Sequence, residues 1–288
     1  MKKIGKESGL GRLVRIFVVL LLLAIAVYTL LPFVWMVSAS FKSEKDVMSV
    51  PIQWIPDSFR MDNFKRVLNI DTKSTTNYHF LLAYWNSIKV SVVSTVCSVL
   101  SATLAGYAFA KLKFRGSKVL FILYLAQMMV PSQLTLIPRF LLFSSVGLNN
   151  SHWALILPKI VSVSSTFLVR QAFISTPSEL REAAKIDGAG EFRIWWNIMV
   201  PLVKPTLAAV ATVDFLASWN DYLDPLVFLS DWTKRTLPLA LNQFIGTEVT
   251  QYNLIMAACC LTVIPVFVVF LCGQKFFLKG LTVGAVKG

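Results

Sequence analysis

The sequence predicts an all-α polytopic membrane protein with six transmembrane helices and one short polar helix in the cytoplasm between spans four and five. Three observations carry this. Of 288 residues, 56% are hydrophobic and only 15% are charged, against about 25% charged in a soluble domain. The mean hydropathy is +0.64. The apolar residues gather into six runs of the length a bilayer demands, about 20 residues of helix, while stretch 175–205 interrupts them with charges of both signs.

Taken in order, the first span is expected at 16–35 and holds no charge. Lys2, Lys3, Lys6, Arg12 and Arg15 in tail 1–15 would suit a signal peptide. The apolar run is too long for a signal core, however, and continues into Leu31-Pro32-Phe33-Val34-Trp35-Met36 without a small-residue cleavage site, so an uncleaved helix is expected. Segment 41–84 follows as a long external loop with Pro51, Trp54, Pro56 and a short amphipathic piece at 61–68. Aromatic residues beside polar ones suit an ordered cap at the membrane surface or a docking partner. The second and third spans are expected at 90–110 and 119–138. The fourth, 153–169, is interrupted by Lys159. The fifth, 206–228, carries Asp214, Asp221 and Asp224, and the sixth, 253–273, carries no charge. The whole chain, 1–288, reads as one transmembrane domain without internal repeats.

The net charge of +13 does not indicate nucleic acid, because the basic residues are scattered between apolar runs. They set orientation instead. Tail 1–15, the acid-free group Lys111, Lys113, Arg115 and Lys118, stretch 170–204 and the basic tail 275–288 hold most of the lysine and arginine. This places them, and both termini, in the cytoplasm. Cys97, Cys259, Cys260 and Cys272 lie in apolar runs and read as buried small hydrophobes. With His79 and His152 the only histidines, both external, no metal site and no intramembrane hydrolase is expected. There is no G-x-x-x-x-G-K-[ST] phosphate loop, so the chain is not expected to hydrolyse ATP.

Stretch 175–205 reads as helix, glycine turn, helix. Thr176 as N-cap, Pro177 at the first position and Glu179 three residues past the cap make a capping box. Gly188 is placed to end the helix in the left-handed region, after about three turns or ~16 Å. Leu180, Ala183, Ala184 and Asp187 are expected on one face, flattened by the alanine pair. A second amphipathic helix, 191–199, carries Phe192, Ile194, Trp195, Trp196 and Ile198; Pro201 is expected to stop it and Pro205 to start the fifth span. On shape alone, an interfacial helix of no specific function and a docking element both fit.

The residues also resemble a family. Glu182-Ala183-Ala184, Asp187-Gly188-Ala189, Ile198, Pro201-Leu202 and Pro205 look like the EAA loop of ABC importer permeases. Phe167-Leu168-Val169-Arg170-Gln171, Trp219-Asn220-Asp221-Tyr222 with Pro225-Leu226, and Gly280-Leu281-Thr282 with Gly284 to Gly288 are similar to the carbohydrate, maltose-permease-like branch. The resemblance implies a coupling helix whose residues Glu182, Ala183, Ala184, Asp187, Gly188, Ala189 and Pro201 engage a separate cytoplasmic ATPase dimer. It also implies a second homologous permease, an external solute-binding protein and a sugar substrate. ATP and Mg would be held in the partner ATPase, with no cofactor bound by this chain. A permease for another solute, polyamine-like, and an ion-coupled secondary transporter are the alternatives; the latter would want inverted repeats and broken helices, and neither is clear in the sequence.

Ionisable groups in a span are costly and mark function by default. Asp214 lies nine residues past Pro205, so ~14 Å up the helix and near mid-membrane. Trp219, Asn220, Asp221 and Tyr222 combine aromatic faces with amide and carboxylate groups that suit sugar hydroxyls. For all of these, bonding between helices or to a second permease stands beside the substrate path. Gln127 and Gln133 flank Pro131 and are cavity candidates. Lys159 either snorkels outward or pairs with a carboxylate of the fifth span, and Asp224 is expected at the solvated outer boundary.

Overall fold

The structure is a computed structural model and describes residues 9–70, 79–245 and 251–285. Its contacts divide it into two compact units, Met1–Thr76 with Gln243–Leu261, and Asn77–Asn242 with Thr262–Gly288. Among the described residues, four helices are long and apolar enough to cross a membrane unaided: Gly11–Ser40, Phe80–Lys111, Trp153–Ser175 and Tyr252–Phe276. Two more candidate spans are bent pairs, Ser117–Met129 with Ser132–Ser145 at 91° and Glu191–Leu202 with Lys204–Trp219 at 81°.

In the first unit, helix Gly9–Ser40 leaves its apolar side chains open, as lipid solvation allows. Beyond it, the segment 41–70 is held by buried polar anchors. Lys42 is 1% exposed, donates to the carbonyl of Gln53 and lies 4.2 Å from the Trp35 ring centre. On the short helix Asp62–Val67, where an amphipathic piece was expected, the Asn63 amide donates to the carbonyls of Ser40 and Lys42 at 2.8 Å. It accepts from Asn253 at 2.9 Å. Residues 71–78 lie outside the described residues. Helix Tyr252–Ala285 continues well past 273, where a glycine-rich tail from 275 was expected.

The second unit is organised on helix Phe80–Lys111, which packs against Val163–Ser175 and Lys204–Trp219. Gly106 makes the first of these contacts close: a Cβ there would lie 3.0 Å from the Arg170 amide nitrogen and 3.1 Å from a Val169 methyl. Small residues that let backbones approach are the usual device for packing helices where lipid removes the hydrophobic drive.

Two expected continuous spans are broken. In the third, Val130 is extended (φ −87°, ψ 113°) before Pro131, because a proline's ring disfavours helix at the preceding residue. In the fifth, helix Lys204–Trp219 ends at Asn220 and a new helix, Leu223–Phe228, follows. The Asp221 carboxylate accepts from the Asp224 amide at 3.3 Å and so helps start the second piece. In the fourth, a short helix Trp153–Ile156 and a tight turn through Lys159 precede Val163–Ser175.

Candidate functional site

The polar stretch is built onto the ends of the spans. Helix Glu179–Ile186 starts after Ser178, whose carbonyl accepts from the amides of Arg181 and Glu182. The expected Thr176 cap does not form. Thr176 instead closes the preceding helix, its hydroxyl donating to the Phe173 carbonyl at 2.6 Å, and its own carbonyl accepts from Lys111 at 2.7 Å. The helix end is as expected. Gly188 has φ +79°, its amide donates to the Lys185 carbonyl at 3.0 Å, and the Ala189 amide donates to Ala184 at 2.9 Å. Those two bonds are the Schellman pattern.

The shared face does not survive. Ala184 is 8% exposed and turns inward, into a core with Tyr107, Phe173, Ile194, Trp195 and Met199 against which Ala189 also packs. Leu180, Ala183, Ile186 and Asp187 stay exposed, Ile186 at 87%, as does Glu182. The alanine pair therefore divides between two faces, since neighbouring residues sit about 100° apart on a helix. Pro201 does not stop the next helix. It lies in Val200–Leu202, directly after a wide turn at Trp195–Met199, and the chain bends at Val203 before Pro205 opens the following helix. Pro205 sits in the first turn of that helix, where its missing N–H has no helical partner to lose.

A charged cluster fastens this stretch to the bundle. The Tyr107 hydroxyl donates to Glu191 Oε2 at 2.7 Å, Arg181 donates to both carboxylate oxygens, and Lys185 Nζ lies 2.6 Å from Oε1. Burial pushes the Glu191 carboxyl up, but the hydrogen bonds from Arg181, Lys185 and Tyr107 outweigh it and hold the group at about 2. The sequence reading missed this cluster. Its one local signal was Arg181 and Lys185 at i, i+4 on the helix.

Deeper in the unit, Asp214 accepts from Ser98 at 2.7 Å and from Ser165 at 2.8 and 2.9 Å, joining three helices. It lines a cavity of about 260 Å³ with Ser94, Ser98, Lys159, Ser162 and Ser218. The Ser94 hydroxyl is buried there without a hydrogen-bond partner. Lys159 Nζ lies 2.6 Å from Asp221, so it pairs with the fifth span. Asp224 is not solvated: its side chain is 16% exposed and pairs with Arg139. Trp219 is buried, stacked on Phe215 and edge-on to Tyr84. Asn220 is exposed, and the Tyr222 hydroxyl accepts from Asn242 at 2.6 Å. Gln127 and Gln133 are exposed at the break around Pro131 and do not line this cavity.

Known proteins share this architecture. The chain is 35% identical over 266 residues to the arabinooligosaccharides transport system permease protein AraQ of Halalkalibacterium halodurans, covering 92% of this chain and 93% of the relative. It is 32% identical over 263 residues to the lactose transport system permease protein LacG of Rhizobium radiobacter, covering 91% and 92%. A chain of the crystal structure of a bacterial ABC transporter involved in the import of the acidic polysaccharide alginate superposes with TM-score 0.83 at 25% identity, over 94% of this chain and 98% of that one. Residues 99–283 match the family described as binding-protein-dependent transport system inner membrane component, and the chain belongs to that family of ABC importer permeases.

Proposed function

We propose that this chain is the permease subunit of an ATP-driven importer that moves a sugar or oligosaccharide across the cytoplasmic membrane by alternating access. Stretch 175–205 takes the stroke from a separate ATPase dimer, which holds the ATP and Mg. A second permease completes the pathway, an external solute-binding protein delivers the sugar, and both termini face the cytoplasm. One observation carries the coupling role: helix Glu179–Ile186 is fastened through Ala184 and leaves Ala183 and Ile186 uncovered away from it, with Leu180 exposed beside it. An element rigidly joined to the spans, with an apolar face open, can transmit a push from a partner as rigid-body motion.

For the cargo, the named relatives support a saccharide, and the serine hydroxyls with Asp214 suit exchange of hydrogen bonds with sugar hydroxyls. A polyamine would bring its ammonium groups against Lys159 in the same wall. An ion-coupled transporter gains the broken helices, yet the family match and the open coupling helix favour the importer.

Gly188→Val tests the coupling role. No atom lies within 4 Å of a Cβ there, so the variant strains only the backbone, at about 1–2 kcal/mol for a left-handed residue with a Cβ. Uptake and transport-stimulated ATPase are expected to fall together while the protein still reaches the membrane. Unchanged coupling would remove the role assigned to this turn.

A further inference from the structure

We propose that the cavity between Phe109, Ser117, Lys118, Phe121, Ile122 and Arg170 seats the phosphate of an anionic phospholipid from the cytoplasmic leaflet. The cavity holds about 420 Å³. Its lining combines two cationic side chains, Lys118 and Arg170, with the apolar Phe109, Phe121 and Ile122. Arg170 is half-buried, held by a bond from Nε to the Phe109 carbonyl at 3.3 Å and by the Phe121 ring, 4.0 Å from its guanidinium carbon. That fixes the fork and leaves its terminal nitrogens for a ligand. Among the described residues, neither Arg170 nor Lys118 makes an ion pair.

No aspartate or glutamate occurs between Asp71 and Glu179. The segment supplying every wall of the cavity thus brings Lys113, Arg115, Lys118 and Arg170 with no internal counter-charge. A guanidinium held flat binds two phosphate oxygens at once. Ile122 and Val119 are 65% and 62% exposed on the helix that bears Lys118, and Phe114 is 40% exposed. Ile122 itself lines the cavity, so acyl chains would meet apolar surface beside the phosphate seat. Basic pockets between membrane helices on the cytoplasmic side are where anionic headgroups bind.

The inference rests on the orientation proposed above, and the test separates the two. The assembled importer is placed in nanodiscs of phosphatidylglycerol or phosphatidylcholine, and retained lipid is read by native mass spectrometry. Phosphatidylglycerol is expected to be preferred, and the preference to fall about fivefold for each charge removed in Lys118→Gln and Arg170→Gln. Lys118→Glu, at an exposed position, is expected to abolish it without loss of fold. Equal retention in the variants, or displacement by millimolar inorganic phosphate, would overturn the lipid seat. So would headgroup-independent retention. Orientation is read apart, by labelling Arg115→Cys in a cysteine-free background with an impermeant thiol reagent on intact cells. Labelling from outside would refute the orientation and the leaflet while leaving the nanodisc result to stand or fall alone.

Discussion

The Tyr107 hydroxyl reaches the Glu191 carboxylate at 2.7 Å, across 84 residues of sequence. One end lies near the end of helix Phe80–Lys111 and the other is the first residue of the helix after the Gly188 turn. The contact ties the element proposed to receive force to the element that must move.

Glu191→Gln is expected to loosen this tie more than Tyr107→Phe. The first removes the charge that Arg181 and Lys185 both meet; the second removes one hydrogen bond, about 1 kcal/mol. Uptake in vesicles should fall several-fold in Glu191→Gln with normal membrane insertion. Because the carboxyl is held at about 2, below its unfolded value, its contribution is complete above the ordinary carboxylate range. It should be lost as pH falls from about 4.5 towards 2. A thermal melt of the purified complex across that range should show the loss in wild type and not in Glu191→Gln.

Lys159 and Asp221 should behave as a pair. Their side chains are 23% and 16% exposed, so removing one partner strands a largely buried charge, at a cost near the lower end of 3–5 kcal/mol. Lys159→Met and Asp221→Leu should each lower the melting temperature of the purified importer. The double variant should recover most of the loss. Additive losses would show that the two residues do not depend on each other.

Asp214→Asn keeps the shape but replaces the shared acceptor of Ser98 and Ser165. Interhelical hydrogen bonds in membranes average about 0.6 kcal/mol, so folding should change little. If the cavity handles cargo, affinity over a panel of sugars should shift at least several-fold. Wild-type kinetics would assign Asp214 to helix packing alone.

Gly106→Leu should be the most damaging single change at the helix interface. Its side chain must start 3.0 Å from the Arg170 backbone nitrogen, which cannot move as a flexible side chain would. Reduced yield of folded protein, measured by monodisperse fraction after extraction, is expected even though the residue carries no charge or chemistry.

The legible parts of the sequence were those whose cause is local. Gly188 ends its helix because few residues accept a positive φ, and that demand is visible in one letter. The start of the same helix was misplaced because Thr176 was already engaged by Phe173, a competition settled by the preceding helix. Ala184 looked interchangeable with Ala183 until packing against Tyr107 and Trp195 fixed the rotation. The membrane runs were found by composition, but their breaks at Val130 and after Trp219 were not, since apolar length says nothing of direction. Asp214 was singled out as a costly charge, while its partners Ser98 and Ser165 are 116 and 49 residues away and carried no signal of their own.

Gly106 also restricts how the protein can change shape. With the Phe80–Lys111 backbone seated against Val163–Ser175, sliding one helix by a single residue, ~1.5 Å, would put a Cβ where only hydrogen fits now. These two helices must travel as one rod. Any rearrangement is then left to the corners already present in the chain, among them those beside Pro131, at Val203 and after Trp219.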